Sequence, residues 1–321
     1  MVARLPLLMT CVVAAALQGC ARPHGSRLPD RVRIAGIILK WVPAQRELNY
    51  SRAEPMIRRA AAAGAQIVVT TECFLDGYAI RDKSMPPEAW RALGEEIPEG
   101  PYLRRLRHLA DEVDIHLVAG LVERDGDRTY NTAVLIGPDG RVIGRYRKQK
   151  LGHERARNTA GCESPAFDTP HGRIGLIICA DRRDPEVVRR ICANGVDLLI
   201  CPSGGMWGPK DNDHHVQARS RENRVPIVFV HPIDFLVTGP DGAILERRFV
   251  GREMDVSGRR IGSEQDVCEV AIFDVPLSGA RRQRQVPRDP PGGDDPYCTA
   301  PFVSRMKAVS RSTSSSRSSR S

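Results

Sequence analysis

Short apolar runs alternate along this chain with segments of helical composition. Residues 32–39 and 66–70 are continuous apolar stretches rich in Ile and Val, a pattern typical of strands buried on both faces. Between them, residues 54–64 are rich in Ala and end on a Gly, which predicts a helix. The alternation continues with predicted strands at 115–123, 175–179, 196–201, 226–230 and 267–275 and predicted helices at 102–111, 185–194 and 212–223.

Two Pro-Asp-Gly sequences predict β-hairpins. Asp139-Gly140 separates the β-prone residues 132–137 and 141–146, and a second Asp-Gly pair at 241–242 lies in a similar setting. Asp-Gly between two such runs is a strong signal for a tight turn. Helices that alternate with buried strands, together with antiparallel hairpins, predict an α/β layered domain with a mixed sheet. We place this domain at residues 31–279.

The N-terminus resembles an export signal. Arg4 precedes an apolar stretch at 5–17 that is too short to span a bilayer. The stretch ends in Leu-Gln-Gly-Cys, similar to a bacterial lipobox, so we predict that residues 1–20 are a signal peptide and that Cys20 is lipidated. The Gln before the Gly is an unusual occupant, and an ordinary secretory signal or a wrongly assigned start stay as alternatives.

This interpretation predicts an exported protein that a lipid anchor holds to a bacterial membrane, on its periplasmic or cell-surface side. Residues 21–30, which contain Pro and Gly, would form a short tether between the membrane and the domain. Beyond the N-terminal segment no apolar run approaches the length of a spanning helix.

The net charge of +9 is concentrated at the C-terminus. Residues 281–321 contain nine Lys or Arg and three Asp, so most of the excess lies outside the predicted domain. We predict that residues 280–321 form a basic, Ser- and Arg-rich tail that is largely disordered. No zinc-finger spacing or RNA-binding signature accompanies it, so we expect no nucleic-acid partner. No CxxC or His/Cys ligand spacing is present either, and we expect no metal and no cofactor.

Three segments place reactive side chains at or near the ends of predicted strands. TTECFLDGY carries Glu72, GRYRKQKLGHE carries Lys148 and Glu154, and GLIICADRRDPE carries Cys179. The carboxyl ends of strands in open α/β sheets are where functional sites are built. In this chain order the three segments resemble the nitrilase, or carbon–nitrogen hydrolase, superfamily, and the resemblance extends over about residues 32–275.

The resemblance implies a four-layer α-β-β-α sandwich with two mixed sheets, and a small-molecule substrate. It also implies that Cys179 is a nucleophile, Glu72 its general base and Lys148 an electrophilic support. A free thiol has a pKa of about 8.5, so a neighbouring base must take its proton during attack. The Lys148 ammonium and the backbone N–H of Ala180 would stabilise the negative charge that develops on the substrate. A homo-oligomer is implied too, which a monomer in light scattering would contradict.

Two lysines compete for the electrophilic role. Lys148 and Lys150 are two residues apart and would share one face of a strand, and the Tyr-Arg-Lys-x-x-Leu register of the family selects Lys148. Glu154 corresponds to a second Glu that the family often uses to orient the lysine or the substrate. Its alternative is a solvated loop carboxylate.

The residues after the nucleophile indicate a substrate class. Asp181, in the second position after Cys179, resembles amidase and carbamoylase branches of the family, and Arg182-Arg183 resemble the paired Arg of N-carbamoyl amino-acid amidohydrolases. Guanidinium groups bind carboxylates bidentately, so we expect this pair to hold a substrate carboxylate, with surface ion pairs as the alternative. The expected reaction is thiol-dependent hydrolysis of an amide or N-carbamoyl compound. Nitrile hydrolysis and a non-catalytic binding or scaffold lipoprotein stay as alternatives.

Overall fold

A computed structural model describes residues 29–205, 209–250 and 268–277, with the side chains of residues 209 and 210 excluded. Within these ranges the chain forms two β-sheets and the helices that cover them. The strands are β1 (Arg31–Leu39), β2 (Ile67–Val69), β3 (His116–Asp125), β4 (Arg128–Ile136), β5 (Val142–Arg147), β6 (Ala166–Thr169), β7 (Gly172–Leu176), β8 (Leu198–Pro202), β9 (Ile227–His231), β10 (Asp234–Thr238), β11 (Ile244–Phe249) and β12 (Cys268–Pro276). The α-helices are α1 (Arg46–Ala62), α2 (Pro87–Ala92), α3 (Pro101–Glu112), α4 (Pro185–Cys192) and α5 (Pro209–Asn223).

Each sheet has six strands, with three parallel strands flanked by antiparallel ones. The order is β12-β1-β2-β3-β4-β5 in the first sheet and β11-β10-β9-β8-β7-β6 in the second. In the first sheet β1, β2 and β3 are parallel, and in the second β7, β8 and β9 are. The remaining pairings are antiparallel. The predicted hairpins at Asp139-Gly140 and at 241–242 are confirmed as the β4–β5 and β10–β11 turns.

Apolar side chains hold the layers together. Helices α1 and α3 pack on the outer face of the first sheet, where Ile57 and Leu106 join its buried residues. Helices α4 and α5 cover the second sheet through residues such as Val188 and Val216. The inner faces of the two sheets meet so closely at one point that a Cβ on Gly36 would overlap the ring of Phe235. The four-layer α-β-β-α sandwich with two mixed sheets is confirmed.

Some element boundaries differ from the predicted ones for local reasons. The helix predicted at 54–64 begins eight residues earlier, because Asn49, Tyr50 and Ala53 already turn toward the core and Pro55 is accommodated inside the helix. The strand predicted at 175–179 ends at Leu176, and the chain then turns. Strand β6 was not predicted, because its four residues are only partly buried and form no apolar run.

The predicted signal peptide with Cys20, the tether up to residue 28 and the basic tail lie outside the described residues. Every helix in the described ranges is too short or too polar to cross a bilayer.

We expect Gly36→Ala to lower the free energy of unfolding by about 1–3 kcal/mol, because the added methyl group has to displace a buried aromatic ring between the sheets. Chemical denaturation would measure this loss. Arg59→Ala is a suitable control, since Arg59 is exposed on α1 and Ala is compatible with a helix. Equal stability of Gly36→Ala and the wild type would contradict the close contact of the two sheets.

Candidate active site

Glu72 lies just beyond the end of β2, in a loop that packs against two other strands. Its backbone N–H donates to the carbonyl of Ser203, which follows β8, at 3.2 Å. Gly120 in β3 allows the loop to approach, because a Cβ there would lie 3.0 Å from the Glu72 Cα. The Glu72 side chain is fully buried. A carboxylate from the first sheet is therefore held at the end of a strand of the second sheet.

Lys148 follows β5 and points into the same buried space. Its Nζ donates to Glu72 Oε1 at 2.7 Å and also to Glu154 Oε1. Burial would lower the pKa of Lys148, but the surrounding acidic groups, Glu72 first, raise it well above its ordinary value. The ammonium therefore stays protonated at neutral pH. We expected Glu154 to orient the lysine or the substrate, and its hydrogen bond with Lys148 is the contact that this role needs.

Lys150 has a different environment, although it is only two residues away. Its side chain is half exposed and pairs with Asp184 at 2.5 Å. The two lysines do not share a face, because β5 ends at Arg147 and the alternation of a strand stops there. The structure places Lys148 in the buried cluster and Lys150 outside it.

Two polar side chains that the sequence did not single out complete this cluster. Asn131 in β4 donates from Nδ2 to Glu72 Oε1 at 2.8 Å and to Glu154 Oε2 at 3.0 Å. The Tyr78 hydroxyl donates to Glu154 Oε1 at 3.2 Å. Two signals in the sequence could have identified them. Asn131 is a polar residue inside a buried strand, and Tyr78 ends the segment that carries Glu72.

One oxygen of Glu72 is left without a partner. Oε2 is buried and accepts no hydrogen bond from the described residues. A Cβ on Gly204 would lie 2.9 Å from this oxygen, and a Cβ on Gly205 would lie 4.0 Å from Cys179 Sγ. The unpartnered oxygen and the sulfur thus border the same glycine pair. An oxygen with free lone pairs in this position can accept a proton.

Cys179 begins a short 3-10 turn, Cys179–Arg183, at the end of the segment that contains β7. Its φ is 45°, a left-handed conformation that is unfavourable for a residue with a Cβ. Strain of this kind is found at functional sites, where the surrounding structure maintains it. This backbone cannot continue a strand, which is why the strand predicted up to residue 179 ends early.

Asp181 ties this turn to the loop that carries the lysine. Its Oδ1 accepts the backbone N–H groups of Gln149 at 3.2 Å and Lys150 at 2.8 Å. Its Oδ2 accepts the N–H of Ile178 at 3.0 Å and the Tyr146 hydroxyl at 2.8 Å. Burial raises the pKa of Asp181. We expected Asp181 to indicate the substrate class, and the structure gives it four contacts that join two parts of the site.

The two arginines after Asp181 are separated. Arg182 is fully buried, donates from Nη1 to Cys179 Sγ at 3.5 Å and donates from Nη2 to Asn212 Oδ1. Arg183 is exposed. The pair therefore does not form the two-pronged carboxylate clamp that we expected, because the 3-10 turn directs consecutive side chains to different sides. Ala180, half-buried, lies in the first turn, where backbone N–H groups have no intrahelical acceptor.

Other thiols in the described residues have environments unlike that of Cys179. Burial raises the pKa of Cys73 well above its ordinary value and the pKa of Cys201 to about 12. Cys192, the last residue of α4, is buried in the core, and Cys268 is exposed. No group of three or more His, Cys, Asp or Glu side chains within the described ranges could hold a metal ion.

Comparison with known proteins identifies the family of this chain. Residues 31–258 match the family model for carbon-nitrogen hydrolases. A nitrilase of Pyrococcus abyssi (strain GE5 / Orsay) is 33% identical over 261 residues, which cover 79% of this chain and 93% of that protein. Omega-amidase NIT2 of Homo sapiens is 32% identical over 197 residues, which cover 57% of this chain and 68% of that protein.

Solved structures show the same fold. Nit3 of Saccharomyces cerevisiae, from the nitrilase superfamily, superposes with a TM-score of 0.67 at 24% identity and covers 80% of this chain and 94% of its own. A mutant of the Nesterenkonia AN1 amidase gives a TM-score of 0.64 at 22% identity, with coverage of 81% and 97%. The family-model match and the nitrilase relative, joined to this fold, show that the chain belongs to the carbon–nitrogen hydrolase family of the nitrilase superfamily.

Proposed function

We propose that this carbon–nitrogen hydrolase cleaves the C–N bond of a small amide or N-carbamoyl compound through a thioester on Cys179. The observation that carries the proposal is the unpartnered Oε2 of Glu72, which borders the same glycine pair as the Cys179 sulfur. The omega-amidase relative supports an amide substrate. Asp181 after the nucleophile supports the same class.

In the first step the Cys179 sulfur attacks the carbonyl carbon while Glu72 takes the thiol proton. The new S–C bond places negative charge on the carbonyl oxygen, which the Lys148 ammonium and the Ala180 N–H would stabilise. The C–N bond then breaks, and the leaving nitrogen takes the proton from Glu72 and departs as ammonia or an amine. The product of this half-reaction is a thioester.

In the second step water hydrolyses the thioester. Glu72, again a carboxylate, removes a proton from water as its oxygen attacks the acyl carbon. The C–S bond breaks, the sulfur recovers its proton and the acid leaves. Lys148 keeps its contact with Glu154 throughout, also while Glu72 carries the proton of the thiol. Glu154, Asn131 and Tyr78 hold Glu72 and Lys148 in register and are positioning residues.

Arg182 has a separate role in the proposal, which is to stabilise the sulfur as an anion. Its guanidinium lies 3.5 Å from Cys179 Sγ, and the Asn212 side chain fixes its other end. A fixed guanidinium at this distance orients the sulfur and stabilises the negative charge that it carries when the C–S bond breaks. This role replaces the carboxylate contact that we expected for Arg182.

Hydrolysis of a panel of primary amides, N-carbamoyl amino acids and nitriles tests the proposed function. We expect ammonia release from at least one amide or N-carbamoyl compound, with turnover abolished by Cys179→Ala and reduced about 100-fold or more by Glu72→Gln. Cys268→Ser, which removes an exposed thiol of the described chain, is the matched control and should retain activity. Ammonia release from nitriles alone would favour a nitrilase, as in the Pyrococcus relative. No ammonia release from any compound of the panel would favour a binding or scaffold role.

The rate of amide hydrolysis at one fixed pH tests the role of Arg182. We expect Arg182→Met to reduce kcat by about tenfold, because the sulfur loses the guanidinium that contacts it. Asn212→Ala should cause a smaller reduction, and Arg182→Lys should restore part of the rate. The exposed neighbour provides the control, Arg183→Met, which should leave kcat unchanged. An unchanged kcat in both Arg182→Met and Asn212→Ala would contradict the assignment.

We also propose that the protein is exported and held to a membrane by a lipid on Cys20. The sequence at residues 1–20 supports this location. In a bacterial host, Cys20→Ser should move the protein from the membrane pellet to the supernatant and remove the added lipid mass. An unmodified Cys20 in the mature wild-type protein would refute the anchor.

A further inference from the structure

The two ends of the described domain meet at one point. Strands β1 and β12 are antiparallel neighbours, and Arg31 at the start of β1 is level with Pro276 at the end of β12. The backbone N–H of Leu277 donates to the carbonyl of Asp30 at 2.8 Å. The tether that ends at residue 30 and the basic tail that begins shortly after Leu277 are therefore attached to the domain side by side.

This attachment point lies at the amino ends of the parallel strands, opposite to the catalytic cluster. In the register of β1 and β2, Val69 is level with Gly36, about 17 Å along the strand from the start of β1. Glu72 follows Val69 at the carboxyl end of β2. The second sheet runs in the same direction, because the ring centre of His171, just before β7, lies 5.1 Å from that of His116 at the start of β3. The attachment point and the catalytic cluster are thus at opposite ends of the sandwich.

Positive charge dominates the basic tail. Residues 281–288 contain four Arg and no acidic residue, and residues 296–321 contain five Lys or Arg and no acidic residue. The three Asp of the tail lie between these two stretches. In the second stretch the apolar residues Phe302 and Met306 lie close to Arg305. Basic residues beside aromatic and aliphatic ones are typical of segments that bind the interface of anionic membranes.

The folded domain contributes little net charge at the same end. Arg33 of β1 pairs with Asp274 of β12 at 2.7 Å, and Arg173 of β7 pairs with Asp168 of β6 at 2.9 Å. Each pair is neutral as a whole, so it neither attracts nor repels an anionic surface strongly. The basic tail, with its excess of Lys and Arg, is therefore the main source of positive charge at this end.

A lipid on Cys20 would bring this end of the domain to the membrane surface. Residues 21–30 reach at most about 35 Å even when fully extended. Arg281 follows Leu277 by four residues, so the first basic stretch begins close to the attachment point. Each Lys or Arg near an anionic surface adds to the attraction, and an anchor raises the local concentration of lipid head groups around the tail. The lipid and the basic tail would therefore reinforce each other.

We infer that the basic tail binds the anionic phospholipid surface of the membrane that holds Cys20. The attachment point then faces the membrane, and the catalytic cluster faces away from it, toward the solution from which a small substrate arrives. This inference rests on the proposed lipid anchor and is independent of the reaction at Cys179. A nucleic acid, the other polyanion that a basic segment can bind, is not favoured, because no recognition signature accompanies the tail.

Binding to lipid vesicles tests the inference. The protein used is residues 21–321, which contain every described residue but neither the signal peptide nor a lipid, so that any binding comes from the polypeptide. Vesicles of phosphatidylcholine with about one third phosphatidylglycerol are compared with vesicles of phosphatidylcholine alone. We expect sedimentation to give a partition coefficient about tenfold or more higher on the anionic vesicles. Added salt should reduce the difference, because it screens exposed charges.

Substitutions locate the contact. Replacement of all nine Lys and Arg at 281–321 by Gln should lower binding to anionic vesicles to the level seen with phosphatidylcholine. Replacement of the four Arg at 281–288 alone should cause a partial loss. Both tail variants should keep the wild-type midpoint of thermal unfolding, because the substituted residues lie outside the described helices and strands. The matched control removes four exposed charges from the folded domain and should bind as the wild type does; it carries Arg104→Gln, Arg128→Gln, Arg155→Gln and Arg183→Gln.

Hydrogen–deuterium exchange of the vesicle-bound chain tests the orientation. The loops before β2 and β3, residues 63–66 and 113–115, lie at the end that carries the attachment point. Their amides should exchange more slowly on anionic vesicles than in solution. The exposed loop at 82–86, which follows the Glu72 segment at the opposite end, should exchange equally in both. Slower exchange at 82–86 without protection of the other two loops would contradict the orientation.

Equal partition of the wild type into anionic and neutral vesicles would overturn the inference. So would full binding by the variant that lacks all nine charges, and so would binding to DNA fragments without any binding to anionic vesicles. The lipid anchor fails separately, through an unmodified Cys20 in the mature protein. Because the vesicle measurement uses a chain without lipid, the two failures are distinguishable.

Discussion

The ammonium of Lys148 is buried between the carboxylates of Glu72 and Glu154, and the rest of the site is arranged around this contact. Removing one partner from such a buried ionic group typically costs about 3–5 kcal/mol, because the remaining charge is left without compensation and without water. The three side chains therefore hold one another in place. Asn131 donates from one Nδ2 to both carboxylates and so links them. One oxygen, Glu72 Oε2, is excluded from this network and stays available for proton transfer.

The sandwich brings these groups together from distant parts of the chain. Glu72 follows a strand of the first sheet, whereas Cys179 follows a strand of the second, and the ends of both strands lie where the inner faces of the sheets meet. Asp181 then joins the turn of the nucleophile to the loop after Lys148 through two backbone N–H groups. Cys179, at the start of this turn, has a strained φ of 45°. The position of the sulfur thus depends on packing between sheets and on one buried carboxylate.

Much of the fold could be predicted from the sequence because the buried strands are short, continuous apolar runs bounded by turn residues, a pattern typical of strands covered on both faces. Glu72 and Cys179 could be predicted because each follows such a run, whereas Lys148 and Glu154 could be predicted only from their resemblance to an element of the family. The directions of the side chains could not. Arg182 and Arg183 are neighbours in sequence, and only the 3-10 turn decides that one contacts the sulfur and the other solvent. The side chains of Lys148 and Lys150 point in different directions because β5 ends at Arg147, one residue before Lys148. Asn131 gave no signal of its own, since it lies within a strand whose other residues are mostly apolar.

The most direct test of the central claim is to locate the covalent intermediate. The wild-type enzyme is quenched with acid during turnover of an amide that it hydrolyses, digested, and mapped by mass spectrometry. The account predicts an added acyl mass on the peptide that contains Cys179 and on no other cysteine peptide. Amide turnover with the acyl group on Cys73, Cys192, Cys201 or Cys268 instead would contradict it.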